Sequence, residues 1–174
     1  MKYFVKIFVV TYLLLICTHS FAEGKIAYID MSFVLNKSKA GAEAQDFLKK
    51  SIAATQKKFV EKEKELKKEE TNLLEKKSII TKEEYKKKTD ELRKKVIEYQ
   101  SQRKSSFDAI AKKRSEARKK LLEAVDPIVA AYTKENSISI VVDKKAVLFA
   151  VPETDITNTV VEKLNKTLPS LNLK

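Results

Sequence analysis

Hydrophobic residues recur every seven positions along the middle of the chain, in two separate runs. The runs comprise, respectively, Phe59, Leu66 and Leu73, and Tyr85, Leu92 and Tyr99. A seven-residue repeat places side chains on one face of an α-helix and is typical of coiled coils. The pattern therefore predicts two long amphipathic helices, one after the other.

The stretch between the two runs has the features of a helix start. Thr81 followed three residues later by Glu84 has the form of a capping box, and Ile80 with Tyr85 has the form of a hydrophobic staple. One helix that ends before this point and another that begins at it make an antiparallel hairpin with its tip near residues 78–81. Positions at equal distances from the tip are apolar in both runs, so we expect them to face one another.

The composition of this region is unusual. Residues 43–126 contain 25 basic and 17 acidic side chains among 84 positions, and they contain no Gly or Pro. A segment that is half charged is either a solvated helix or disordered. The seven-residue repeat favours the helix, because disordered segments do not keep a regular apolar period.

The predicted contact between the two helices contains few apolar residues. A two-stranded coiled coil needs two apolar positions in each heptad, but the positions three residues after Ile52, Phe59 and Leu66 are polar. They are occupied by Thr55, Lys62 and Glu69. We therefore expect an arm that forms but bends and frays towards its tip, with its apolar residues packing mainly on each other.

Three short runs rich in β-branched and apolar residues flank the helical region. They span residues 26–31, 138–143 and 146–151. Because the helices lie between the first and second runs, the sheet must form from both ends of the chain. The predicted fold is α+β and mostly helical. A small β-sheet root at residues 23–42 and 136–174 carries an antiparallel coiled-coil hairpin at residues 43–135, inserted between strands 1 and 2.

Some details of the root depend on single residues. Asp155 or Thr157 is placed to cap a last helix that carries Val160 and Leu164 on one side. Pro127 either kinks the preceding helix or marks the start of a new one. A root of about 70 residues is close to the size at which one core is only marginally stabilising, so we expect self-association through its open sheet edges.

The first 22 residues have the features of a secretory signal peptide. Lys2 and Lys6 flank a basic start, residues 7–17 are mostly apolar, and small residues precede a cleavage site after Ala22. We expect export and cleavage at this site. A membrane anchor and a lipidated start at Cys17 are the alternatives.

Loss of this segment changes the chemistry that is available. The net charge falls from +12 to +10, and the one Cys and the one His of the sequence are removed. Without a thiol or an imidazole, the rest of the chain has no Cys or His nucleophile and no His or Cys metal ligand. We therefore expect no enzyme activity, no cofactor and no bound metal.

Several segments carry a family likeness. They are residues 25–31, residues 138–143, Ala146 with Val147, and residues 155–157 leading into Val160 and Leu164. In this order, on either side of a charged hairpin, they resemble the Skp/OmpH family of periplasmic chaperones. The resemblance implies a periplasmic homotrimer whose strands form a central barrel and whose three hairpins surround a cavity. It also implies a holdase that binds unfolded outer-membrane proteins without ATP and prevents their aggregation before delivery.

Two sets of arm residues are candidates for binding. The candidate client contacts are the apolar residues of the two runs, Phe59, Leu66, Leu73, Tyr85, Leu92 and Tyr99. The candidate contacts to lipopolysaccharide or an anionic membrane surface are Lys86, Lys87, Lys88, Arg93, Lys94 and Lys95. The simpler interpretation of the basic set is a solvated helix face paired with its acidic neighbours Glu83, Glu84, Asp90 and Glu91.

Other functions are less consistent with the sequence. An envelope scaffold or spacer with a dedicated partner is the main alternative, and it predicts straight, fully packed arms. A basic hairpin can bind nucleic acid at low salt, but an exported protein has no physiological nucleic-acid partner. Neighbouring carboxylates such as Glu83 and Glu84 point about 100° apart on a helix, which does not form a catalytic pair.

Overall fold

The computed structural model describes residues 24–173. The main elements, in chain order, are β1 (Lys25–Ile29), α1 (Met31–Lys37), α2 (Lys39–Glu75), α3 (Lys82–Glu135), β2 (Ile138–Asp143) and α4 (Thr157–Thr167). Short 3₁₀ turns lie at Lys76–Ser78, Lys144–Ala146 and Pro152–Thr154. The expected signal peptide, with its cleavage site after Ala22, lies outside the described residues.

The two strands pair in parallel, with Ala27 opposite Val141 and Tyr28 opposite Val142. Parallel strands need a long connection between them, and here the connection consists of α1, α2 and α3. The sheet therefore joins two ends of the described chain, as the distribution of β-rich segments predicts.

The prediction of a third strand at residues 146–151 is wrong for the single chain. After β2, Asp143 accepts a hydrogen bond from the backbone of Lys145 at 2.9 Å, and the chain makes a 3₁₀ turn. Residues 147–151 belong to no strand. Their β-branched and aromatic composition favours extended backbone, but a strand also requires a neighbour to pair with. Within one described chain this segment has none.

Helix α3 continues through Pro127 to Glu135. The alternative that a new helix starts at Pro127 is therefore wrong. Val125 and Ile128, on either side of the proline, are both buried. Their burial in the core compensates for the backbone hydrogen bond that proline cannot donate.

The hydrophobic core lies where the base of the helices meets the sheet. It combines Val34 of α1, Ala44 of α2, Leu121 of α3 and Leu164 of α4 with the inward residues of β1. Residues near both ends of the segment predicted as the arm are thus part of the root core. The projecting part of the arm is correspondingly shorter than residues 43–135.

Polar side chains fix the ends of the helices. Asp30 caps α1 by accepting from the backbone of Phe33 at 2.8 Å, and Ser38 caps α2 by accepting from Gly41 at 3.2 Å. Thr81 caps α3 by accepting from Glu84 at 3.2 Å, at the position that the capping-box pattern predicts. Each cap satisfies a backbone N–H that has no partner within its helix.

Within the root, helix α4 is attached to β1, α1 and α2 by long-range hydrogen bonds from the segments that connect them. Thr157 accepts from the backbone of Asp30 at 2.8 Å, and Asn165 accepts from the backbone of Lys39 at 2.7 Å. Asp155 accepts from the backbone N–H of Thr157 at 2.9 Å, at the start of the helix. Across residues 24–173, no helix combines the length and the apolar character needed to cross a membrane.

Candidate functional site

Helices α2 and α3 contact each other over most of the length of α2. The ring centroids of Phe59 and Tyr99 lie 5.7 Å apart in an edge-to-face arrangement. Nearer the tip, Lys95 binds Glu69 at 2.7 Å, and nearer the root the Lys113 ammonium lies 5.1 Å from the ring centroid of Phe47. Residue numbers rise along one helix as they fall along the other in these contacts.

Most of the candidate client contacts lie in the seam, the line of contact between the two helices: Phe59, Leu66, Leu73, Leu92 and Tyr99. Tyr85 lies nearer the tip, where the Lys77 ammonium is 5.9 Å from its ring centroid. Phe59 is only 2 % exposed. The other five are half-buried; they are Leu66, Leu73, Tyr85, Leu92 and Tyr99. Their side chains hold the helices together, so contact with another molecule requires either their exposed edges or a partial opening of this seam. Their role in client binding stays a prediction.

Polar contacts interrupt the seam. Lys62 donates to Gln102 at 2.8 Å across the two helices, and Gln102 in turn donates to Glu98 at 2.7 Å. Lys95 donates to both carboxylate oxygens of Glu69, at 2.7 and 2.9 Å. Exposed ion pairs of this kind contribute at most about 1 kcal/mol each. The arm is therefore held by a few apolar contacts supplemented by weak polar ones.

Several large apolar residues of the arm point away from the seam. Ile79 at the tip is 80 % exposed, Ile97 is 60 % exposed, and Val60 and Leu74 are exposed to a similar degree. They lie outside the seven-residue repeat, so that repeat does not predict their exposure. The adjacent pair Val96 and Ile97 is a signal that could have been used, because two consecutive helical residues cannot both face the same seam.

The basic cluster on α3 is divided in the structure. Lys88 pairs with Glu84 at 3.2 Å, and Lys95 pairs with Glu69 across the seam. The other four are exposed and have no ion-pair partner among residues 24–173; they are Lys86, Lys87, Arg93 and Lys94. Of the expected pairing with Glu83, Glu84, Asp90 and Glu91, only the pair with Glu84 forms.

The root has an apolar surface of its own. Leu148 is fully exposed and Phe149 is 89 % exposed in the segment after β2, and Val151 is half exposed. Ile26 of β1 and Ile140 of β2 add to the exposed apolar area of the root. Leu148 and Phe149 are neighbours in the chain, and Ile26 and Ile140 are partners in the sheet. Clustered exposed apolar residues of this kind are typical of a surface that binds another protein chain.

Ionisable groups of the described chain lie mostly on the surface of the arm. Within residues 24–173, no group of three or more His, Cys, Asp and Glu side chains is arranged to hold a metal ion. In the root, partial burial and the neighbouring Asp155 carboxylate raise the pKa of Tyr28. Burial opposes the charged form of Asp155, but hydrogen bonds from Thr157 and the charge of Lys144 outweigh it and lower its pKa.

Together the fold and the candidate site define a class of protein. It has a small α+β root, built on a parallel two-stranded sheet, from which a long two-helix arm with a sparse apolar seam extends. The chain belongs to the OmpH-like family, since the model of that family, "Outer membrane protein (OmpH-like)", matches residues 25–164. This match confirms the resemblance to the Skp/OmpH chaperone family.

A solved structure has the same fold. It is an OmpH-like protein from Caulobacter crescentus CB15, described as a proposed outer membrane chaperone. The TM-score is 0.79 at 20 % sequence identity, over 90 % of this chain and 93 % of the other. No curated protein matches the chain significantly in sequence.

Proposed function

We propose that this protein is an ATP-independent holdase chaperone of the periplasm. It binds unfolded outer-membrane proteins and prevents their aggregation before they reach the outer membrane. Membership of the OmpH-like family supports this function. The observation that carries it is the arm itself, whose apolar seam is sparse and is interrupted by the contacts of Lys62 and Lys95.

A holdase needs contacts that suit many different sequences. Weak, adaptable contacts spread over a long surface meet this requirement better than one rigid pocket. The half-buried residues Leu66, Leu73 and Leu92 can offer part of their apolar area at little cost, because their seam is loosely packed. Exposed residues such as Ile97 offer more.

Charge assists the encounter with a client. Without residues 1–22 the chain has a net charge of +10, and residues 43–126, with 25 basic and 17 acidic side chains, carry +8 of it. The positive charge on α3 is largely uncompensated, because four of its cations have no ion-pair partner among residues 24–173: Lys86, Lys87, Arg93 and Lys94. A positive field attracts acidic polypeptides over distances of about the Debye length, ~8 Å at physiological salt. Client association is therefore expected to slow as salt is added.

Self-association is part of the proposal. The exposed segment at residues 147–151, which lacks a strand partner, and the two open sheet edges suit pairing with further copies of the same chain. A homotrimer, as the family resemblance implies, brings three arms to one side of a shared root. Three arms that act on one client convert weak individual contacts into useful affinity.

The scaffold alternative receives less support from the arm. A spacer with one dedicated partner benefits from a straight coiled coil with both core positions of each heptad filled. Here Lys62 and Glu69 occupy such positions and make polar contacts with α3. A loose seam fits a binder of varied clients better than a rigid spacer.

The four unpaired cations on α3 also make lipopolysaccharide or an anionic membrane surface a candidate partner. Both present phosphate groups, which Lys and Arg bind. Binding to vesicles that contain anionic lipid or lipopolysaccharide, and loss of that binding after Lys86→Gln with Lys87→Gln, would support this partner. Binding that is equal in the variant would exclude these residues.

The holdase function is tested by diluting a urea-unfolded β-barrel membrane protein into buffer without ATP. We expect residues 23–174, at three chains per client, to suppress light scattering, and an equally basic helical protein to suppress it much less. Aggregation at the rate of the client alone would contradict the proposed function.

A further inference from the structure

The two sides of the arm differ in character. Helical geometry places Lys95, three residues after Leu92, on one side of the seam, and Val96, four residues after it, on the other. The Lys95 side is crossed by the ion pair with Glu69 and by the hydrogen bond from Lys62 to Gln102. The Val96 side forms an open groove of about 540 Å³.

The apolar residues that α3 contributes to this groove face few apolar residues on α2. Helix α3 contributes Val96 and Ile97, and Ile97 is 60 % exposed. Helix α2 contributes Leu66 to the floor, but its other lining residues, Glu63, Lys67 and Glu70, are charged. The groove thus has an apolar strip formed mainly by Leu66, Leu92, Val96 and Ile97, with the charged residues of α2 on one side and the polar residues Thr89, Arg93 and Gln100 of α3 on the other.

The rims of the groove carry opposite charge. On the α2 rim Lys67 is engaged by Glu63 at 3.1 Å, which leaves the carboxylate of Glu70 without an ion-pair partner among residues 24–173. On the α3 rim Arg93 has no ion-pair partner in the same part of the chain, and the adjacent Lys94 adds to its positive charge. A carboxylate that enters beside α3 therefore meets the guanidinium of Arg93.

We propose that this groove holds an extended segment of an unfolded polypeptide, with a large aliphatic or aromatic side chain against Val96 and Ile97 and an acidic residue beside Arg93. This inference rests on the proposed holdase function and assigns it to one side of the arm. The apolar floor sets the preference for a large side chain, and the charge on α3 sets the preference for a neighbouring acid. The seam residues Leu66, Leu92 and Tyr99 contribute to the lining of this groove as well as joining the two helices.

The structure offers a matched pair of variants to test the groove. Ile97 lies in it, whereas Val60 is 50 % exposed but does not line it. The two residues lie at about the same height on the arm, because their neighbours Phe59 and Tyr99 contact each other. Ile97→Ser and Val60→Ser therefore remove similar apolar area from different sides.

The affinity of each variant for a fluorescently labelled, urea-unfolded β-barrel protein is measured at physiological salt, with the oligomeric state determined by light scattering. We expect Ile97→Ser to weaken binding roughly fivefold or more, since it removes an apolar contact on every arm, and Val60→Ser to change it less than twofold. Equal losses in both variants would overturn the groove assignment. A change of oligomeric state in Ile97→Ser would also overturn it, because the face would then belong to self-association.

The charge preference is tested with two short unstructured peptides that share one aromatic residue, flanked by Asp in one and by Lys in the other. We expect Arg93→Gln to weaken binding of the Asp-flanked peptide roughly threefold and to leave the Lys-flanked one unchanged. Lys68→Gln, which removes an exposed charge on α2 that does not line the groove, should have little effect. Equal losses from both substitutions would indicate diffuse attraction and overturn the role of Arg93. Failure of the unmodified protein to hold any unfolded client would instead refute the proposed function.

Discussion

Ser38 and Gly41 form the corner at which α1 leads into α2. Ser38 is buried and accepts a hydrogen bond from the backbone of Gly41. A Cβ atom on Gly41 would overlap the carbonyl oxygen of Leu35. Glycine is required here by the close approach of two backbone segments, and this approach sets the direction in which the arm leaves the root.

Gly41→Ala should therefore destabilise the root by about 2 kcal/mol, because the added methyl group forces α1 and α2 apart. Ala42→Ser, at the exposed neighbouring position, should change stability by less than about 0.5 kcal/mol. Urea unfolding of the two variants checks this. Equal midpoints would show that the corner adjusts without strain.

Asp155 makes the stability of the root depend on pH. Its pKa in the folded state lies below the ordinary aspartate value, so its contribution is fully present above that value and is lost as the pH falls through the folded pKa. Asp155→Asn should lower the free energy of unfolding by about 1 kcal/mol at neutral pH. The difference between the proteins should shrink below about pH 4. A difference that is constant down to pH 2 would contradict this account.

For the arm, the sequence predicts well which residues of the two helices face one another. It predicts poorly which residues form the exposed groove. The seven-residue repeat correctly places Phe59 against Tyr99, because seam residues must recur with the helical period. Val96 and Ile97, which make one side of the groove apolar, lie outside that repeat. The groove depends on which charged residues the opposite helix presents, and only the three-dimensional arrangement reveals this.

Strand formation shows a different limit of sequence analysis. Residues 146–151 have the composition of a strand, yet they form none in the single chain. Local composition favours extended backbone, but hydrogen bonding to a neighbour decides whether a strand forms. The pairing of β1 with β2 was predictable, because both strands lie at the edges of one inserted helical segment.

Filling the polar break in the seam tests whether looseness of the arm matters. Lys62→Leu combined with Gln102→Leu should stabilise the arm by about 1–2 kcal/mol, since a hydrophobic pair replaces a polar contact in a coiled-coil core. Hydrogen exchange should slow along residues 59–102 and stay unchanged in the root. We expect client affinity to fall, because a tighter seam exposes less apolar area. Unchanged affinity with slower exchange would show that seam opening plays no part in binding.

At the scale of the whole molecule, the root and the arm each expose groups that another protein chain can contact. The root leaves Leu148 and Phe149 exposed and its sheet edges unpaired, which suits assembly with further copies of the chain. The arm leaves apolar and basic residues exposed, which suits a transient partner. Under the proposed function, assembly through the root would determine how many arms reach one client.

The claim that several arms act together on one client is tested most directly by the affinity for one unfolded β-barrel protein, measured before and after the assembly is disrupted. Leu148→Ser combined with Phe149→Ser should yield a folded monomer by light scattering and circular dichroism, since both residues are exposed in the single chain. We predict that its affinity falls by about 100-fold, the scale on which multivalency operates, compared with the few-fold loss for Ile97→Ser. A monomeric variant that binds the client as tightly as the unmodified protein would contradict the account.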